Sequence, residues 1–482
     1  MNKQKLFIEN FLVYGLSGVL GRAIPLIMLP IVTRMMPDSS YMGISDLSTT
    51  IVSFGSAFAI MGMYDAMYRL FFDKEDEQYR REVCSTAAGF TFFMALLTFC
   101  LMMIGKSLIA GMVFKDTAYT GVVIISAVAM FADATSGIIA APTRMLNRRK
   151  VYVVTNAVAP LLSYTVAVYL LLKGCYVIAL PMGMLLSKFT MGIPFLIMNK
   201  RWFKPSLFRK ELLKPLLKIG VPVMPAILIY WVFHSCDRIM ITNILGMSEA
   251  GVYAVGAKLG NFSQLIYVAF AGGWQYFAFA TMKEKNQVLQ NSLVFEYLGI
   301  ISFAAVIMIC TFAWPIFQVL FREEYLLGFV VAPYLFFSPL LQMLYQVIGN
   351  QFLIIKKTWY APIVLSAGAV TNVILNGLLI PVFGIEGAAM GTLSGYLITL
   401  LFSAVLLQRK QLLVISKRFL IAVLAVTIFL VGWRLFLTTK VLVSFLLCVF
   451  CGMFFLYLYK KDIMRLAKQL NLPIYREGHT HD

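Results

Sequence analysis

The stretch TRMMPDSSYMGISDL at 33–47 resembles TNILGMSEAGVYAVGAKL at 242–259, at an offset of about 208 residues. A second pair keeps the same spacing: RRKVYVVTNAVAPLL from Arg148 matches KKTWYAPIVLSAGAV from Lys356. Gly174 corresponds in turn to Gly384. What lies between the copies decides what the repeat means.

The chain is 60% hydrophobic and 13% charged over 482 residues. Its mean hydropathy of +0.83 is far above what a water-soluble surface carries. Apolar runs long enough to span a bilayer recur from residue 8 to residue 459, about fourteen of them, and each must be a helix because lipid offers no partner for bare backbone groups. The first run follows Met-Asn-Lys-Gln-Lys but continues past signal-peptide length with no small-residue cleavage site, so it reads as uncleaved. The repeat offset covers six spans. Six is even, so both copies run in the same direction, related by an axis along the membrane normal. The expected fold is therefore an all-α polytopic membrane protein: two parallel six-helix repeats forming a V-shaped bundle, plus two C-terminal helices. Its divisions are 1–198, a basic cytoplasmic linker at 199–215, 216–408, and 409–482. Parallel repeats of this kind mark secondary transporters, with the substrate site at their interface.

The formal net charge of +19 raises the question of nucleic acid, and its distribution answers it. With both termini inside, 28 of the 41 Lys and Arg fall in loops and tails on the cytoplasmic side, six fall on the opposite side and seven lie within spans. The positive-inside rule accounts for the whole excess, and no nucleic-acid partner is expected. The linker NKRWFKPSLFRKELLKPLLK at 199–218 is expected to lie along anionic lipid headgroups. Seven cysteines, almost all within spans, read as free thiols, and CVFC at 448–451 lacks the context of a redox pair. The three histidines are too scattered for a metal site. No G-x-x-x-x-G-K-[ST] motif is present, and no loop is large enough for a catalytic domain, so neither a nucleotide-driven motor nor an enzyme is expected.

Ionisable residues at membrane depth usually face a cavity or the bundle interior. In the first span Arg22 sits on a polar stripe with no acid near it in sequence, so contact with a substrate is its expected role. In the second, Asp46 heads a stripe of threonines and serines. In the seventh, His234, Asp237, Arg238 and Thr242 form a stripe, and the eighth adds Lys258 and Asn261. These are the first two helices of each half, so they can line one cleft. Asp237 and Arg238 are neighbours pointing about 100° apart on a helix and are not expected to neutralise each other. Either a salt bridge between the halves, Asp46 to Arg238 or Asp237 to Lys258, or contact with a substrate explains them. Asp133, Arg144, Lys188 and Glu296 are secondary candidates, and Asp65 with Arg69 reads as an i,i+4 ion pair. Pro25 and Pro30 are expected to interrupt the first helix and act as hinges, with Pro222 and Pro225 their counterparts in the seventh.

GLSGVLGRAIPLIMLPIVTRMMP at 15–37, DRIMITNILGMSEAGVYAVGAKL at 237–259 and FGIEGAAMGTLSGYLI at 383–398 resemble the Wzx-like polysaccharide flippases. These belong to the multidrug/oligosaccharidyl-lipid/polysaccharide exporter superfamily. The resemblance implies a bacterial cytoplasmic-membrane protein that flips undecaprenyl-diphosphate-linked oligosaccharide by alternating access around a cationic cavity, for O-antigen, capsule or exopolysaccharide assembly. It implies lipid-linked oligosaccharide, membrane lipids and other polysaccharide-assembly proteins as partners, no cofactor, and a proton or sodium gradient as the candidate energy source. Two alternatives stay open: a cation-coupled multidrug exporter of the same superfamily, which would use an acidic cluster, and a membrane glycosyltransferase or polymerase.

Overall fold

The computed structural model describes residues 21–469 except 22, 147 and 148. Arg22 therefore lies outside the described residues. Among the described residues every regular element is helical, as the composition requires. Helix α1 covers Ala23–Met35, followed by α2 (Ser40–Ile60), α3 (Met63–Phe71), α4 (Glu77–Ile104), α5 (Lys106–Val113), α6 (Thr120–Met145), α7 (Arg149–Leu172) and α8 (Tyr176–Asn199). After the linker come α9 (Lys210–Trp231), α10 (Asp237–Ile244), α11 (Met247–Gly260), α12 (Gln264–Ala280), α13 (Gln287–Leu320) and α14 (Gly328–Ile354). The chain continues through α15 (Tyr360–Phe383), α16 (Ile385–Arg409), α17 (Lys417–Gly432), α18 (Val441–Leu458) and α19 (Lys460–Gln469).

Among the described residues twelve helical segments are long and apolar enough to cross a membrane. The expected first and eighth spans are not among them: α1 is apolar but short within the described residues, and the eighth is divided into α11 and α12 by a tight turn at Asn261–Ser263. The protein is a multi-pass membrane protein. The two equivalent glycines behave alike: Gly174 at φ +77° and Gly384 at φ +62° turn the chain between the fifth and sixth helices of each half, in a backbone region that a side chain resists.

Helices α2, α4, α6, α7 and α8 pack chiefly on one another, and α14, buried along most of its length, is surrounded by α11, α12, α13 and α16. Helices α17 and α18 pack against α13 on the outside of this second group. They are tied down where Glu296 of α13, 3% exposed, accepts from Ser416 N (2.8 Å), Ser416 Oγ (2.9 Å) and Tyr459 OH (3.2 Å). Arg418 adds an ion pair to Glu296 at 3.5 Å.

The halves meet where α2 crosses α11. A Cβ on Gly43 would lie 3.1 Å from Gly251 N, and one on Gly251 equally close to Gly43 N. Only glycine at both places allows that crossing, and the two are equivalent positions of the repeat. Beside them Ser39 Oγ lies 2.5 Å from Ser248 Oγ. At the same end, opposite the linker, Arg34 donates to Val319 O (2.9 Å) and Arg322 to Met36 O (3.0 Å).

Three expectations change. Residues 23–35 stay helical through Pro25 and Pro30, and α9 continues through Pro222 and Pro225. The seventh span is instead irregular at Val232–Cys236, a wide π turn that re-aims the side chains after it. Arg69 pairs with Asp73 one turn later, leaving Asp65 outside the pair. Asp237 and Arg238 do interact, because the long arginine side chain folds back: its backbone N–H reaches Asp237 Oδ1 at 2.9 Å and its guanidinium reaches the same oxygen at 3.1 Å.

Candidate functional site

The π turn and the break at Asn261 place polar groups of the seventh and eighth spans against the first half. Between them lies a cavity of about 430 Å³. Pro25 and Leu26 of α1 and Tyr164 of α7 form one wall, and His234, Lys258, Asn261, Phe262, Gln264 and Leu265 form the other. Helix irregularity suits this wall, since non-helical backbone at membrane depth is tolerated where it borders a cavity.

The lining is a cationic and amide surface with no carboxylate among its described residues. Lys258 Nζ has no hydrogen bond or ion pair among the described residues, and the buried Gln264 Oε1 also lacks a partner. Lys258 is half-buried and feels the charge of Asp46 without bonding to it, so its ammonium is free to meet an anion entering the cavity.

Asp46, Asp237, Arg238 and Thr242 of these stripes are already bonded. Arg238 Nε donates to Asp46, joining the seventh span to the second. The same guanidinium donates to the carbonyl of His234, one turn back. Asp237, buried, takes the hydroxyl of Tyr253 as well as Arg238. Trp231 Nε1 donates to Ser53 Oγ at 3.2 Å, a second bond between the seventh and second spans. Side chains of Asp46 and Arg238 are 10% and 13% exposed, so this pair is a junction between halves rather than a lining of the cavity. The alternative pairing of Asp237 with Lys258 is not formed among the described ion pairs.

Thus the structure brings His234, Lys258, Asn261 and Pro25 to one cavity and gathers Asp46, Asp237 and Arg238 into a neighbouring network. Gln264 and Tyr164 were missed in the sequence. Gln264 follows Asn261 by three residues on the same face, a signal present in the spacing; Tyr164 comes from a helix whose polar face gave none. Of the secondary candidates, Asp133 pairs with Lys188 at 2.6 Å, and Arg144 bonds Tyr64 OH at 3.3 Å, both within the first half.

A solved lipid II flippase MurJ in an inward closed conformation superposes with a TM-score of 0.72 at 13% identity, covering 94% of this chain and all of the other. A multidrug resistance MATE family transporter of the MOP superfamily in an inward-facing conformation gives 0.57 at 13% identity, covering 82% of this chain and 98% of the other. A MATE structure in a bent conformation gives 0.58 at 14%, covering 84% and 95%. At such identities the likeness is one of fold. An uncharacterized membrane protein of Methanocaldococcus jannaschii is 28% identical over 201 residues, 41% of this chain and 39% of that protein. The matched region thus spans well under half of that relative. The family model described as polysaccharide biosynthesis protein matches residues 31–331, which include both crossing glycines, the Asp46–Arg238 junction and most of the cavity. The chain belongs to the polysaccharide biosynthesis protein family.

Proposed function

We propose that the protein moves a lipid-linked oligosaccharide, carried on a polyprenyl diphosphate, across a bacterial cytoplasmic membrane by alternating exposure of the cavity between its halves. The observation that carries this reading is Lys258, a cation held at membrane depth in a cavity whose other described polar lining groups are His234, Tyr164, Asn261 and Gln264. A diphosphate crossing hydrocarbon needs groups that replace its water, and an ammonium with amide donors beside it supplies them. The amides and Tyr164 also offer partners to sugar hydroxyls.

A cation-coupled drug exporter would place an acid in the cavity, and here the acids Asp46 and Asp237 are bonded to Arg238 and Tyr253. The linker end, with its excess of Lys and Arg, is the cytoplasmic end. A proton or sodium gradient supplies the energy, consistent with a sequence that carries no nucleotide-binding loop. Reconstitution into proteoliposomes tests the reading: a fluorescent lipid-linked oligosaccharide should cross the bilayer with the protein present. Efflux of a cationic dye with no movement of the lipid-linked sugar would favour the exporter.

A further inference from the structure

A second cavity, of about 550 Å³, lies away from the central one at the linker end of the first half. Its walls come from α4, α6 and α8 and from the linker itself: Phe92, Ile138, Leu196, Phe203 and Phe208 make it chiefly apolar. The linker is pinned over it by backbone bonds. Lys204 N donates to Ser85 Oγ (3.0 Å), Ser85 Oγ donates to Trp202 O (3.1 Å) and Arg209 N donates to Thr86 Oγ1 (3.0 Å). A Cβ on Gly89 would lie 3.0 Å from the Phe208 ring, so glycine there lets the ring close against α4.

Two polar groups in this cavity are unused. Thr91, 1% exposed, lines it, and its hydroxyl has no hydrogen-bond partner among the described residues. A buried hydroxyl without a partner is costly, and an acceptor delivered by a ligand removes the cost. At the rim Lys204 is exposed, and its ammonium has no bonded partner among the described residues. Arg209 is different, since its Nε is committed to Glu82 at 3.2 Å.

We infer that this cavity holds one anionic glycerophospholipid from the leaflet at the linker end. One acyl chain lies among the aromatic and aliphatic side chains, an ester carbonyl accepts from Thr91, and the phosphate lies at Lys204. At ~30 Å³ per water-sized group the volume takes on the order of eighteen such groups, the scale of a single acyl chain with its ester. Charge complementarity selects an anionic lipid: the linker from Lys200 to Lys210 carries five basic residues and no acid. A lipid seated there would brace the segment that joins the two halves.

The test uses the full chain in phosphatidylcholine nanodiscs, photolabelled with phosphatidylglycerol that carries a diazirine in one acyl chain. Cross-links are expected on the peptides containing Phe92, Leu196 and Phe208. They should exceed those from a phosphatidylcholine probe with the same chain by about fivefold, and Lys204→Gln should lower them by a similar factor, the effect of one cation at an anionic headgroup. Ala88→Trp, which fills the cavity, should abolish them. Equal labelling by the two probes overturns the inference without recourse to any variant. Labelling unchanged in both Lys204→Gln and Ala88→Trp overturns it too, as does displacement by a polyprenyl phosphate at a lower concentration than by phosphatidylglycerol, which would make this an isoprenoid site.

Discussion

Arg238 of α10 donates its Nε–H to the carboxylate of Asp46 on α2, linking residues 192 positions apart in sequence and in different halves of the molecule. Both side chains are largely removed from solvent. Removing one partner from such a pair strands the other charge, at a cost of about 3–5 kcal/mol, whereas removing both can be nearly neutral. Arg238→Gln and Asp46→Asn should each lower the thermal unfolding midpoint in detergent, and the double variant should recover most of the loss. Additive losses would show that the two do not act as a pair.

The crossing of α2 and α11 makes a second prediction. Ser39 and Ser248 lie side by side there, with hydroxyl oxygens 2.5 Å apart, close enough for cysteines to form a disulfide. In a background without the seven native cysteines, Ser39→Cys with Ser248→Cys should cross-link on oxidation and lower transport by at least about tenfold, with recovery on reduction. Transport that continues unchanged in fully cross-linked protein would mean that this end need not open.

Replacing either crossing glycine should be severe. Gly251→Val places a branched side chain against the backbone of Ser39 and Gly43, which cannot move as a flexible side chain could. Expression or thermal stability should fall by more than for Gly121→Val, where a Cβ meets nothing within 4 Å. Equal effects would argue against the close approach.

Cysteines at Lys204 and Lys283 should react only after the cell is permeabilised, while those at Lys115 and Arg322 should react with an impermeant maleimide in intact cells. The reverse pattern would invert the orientation derived from the Lys and Arg distribution.

The helical spans were legible because they rest on residue type alone: runs of apolar side chains in lipid leave only helices, and Gly43 and Gly251 are visible as corresponding positions before they are known to touch. The cavity was legible in part. His234, Lys258 and Asn261 share helical faces that the sequence displays, but the division of labour between Lys258 and Arg238 depends on which cation meets Asp46, a contact across 192 positions that no local pattern encodes. The Asp237–Arg238 contact was hidden for another reason. Helical geometry sets neighbouring Cβ directions about 100° apart, and only the flexible arginine side chain, bonded also to the carbonyl of His234, brings the guanidinium back. The interruption expected at Pro25 and Pro30 does not occur, because proline removes one backbone bond without necessarily ending a helix in lipid, so residues 23–35 remain helical.

Under the proposed function Lys258 is the cavity cation that meets the substrate's diphosphate, while Arg238 serves the junction. The direct test is the rate at which a lipid-linked oligosaccharide crosses proteoliposomes containing Lys258→Gln, Lys258→Arg or wild-type protein, each first shown to unfold at the same temperature. Lys258→Gln should lose about tenfold or more of the rate, as expected when a desolvated charge-assisted bond of about 1.5–3 kcal/mol is removed, and Lys258→Arg should keep most of it. A Lys258→Gln protein that transports at the wild-type rate would contradict the account.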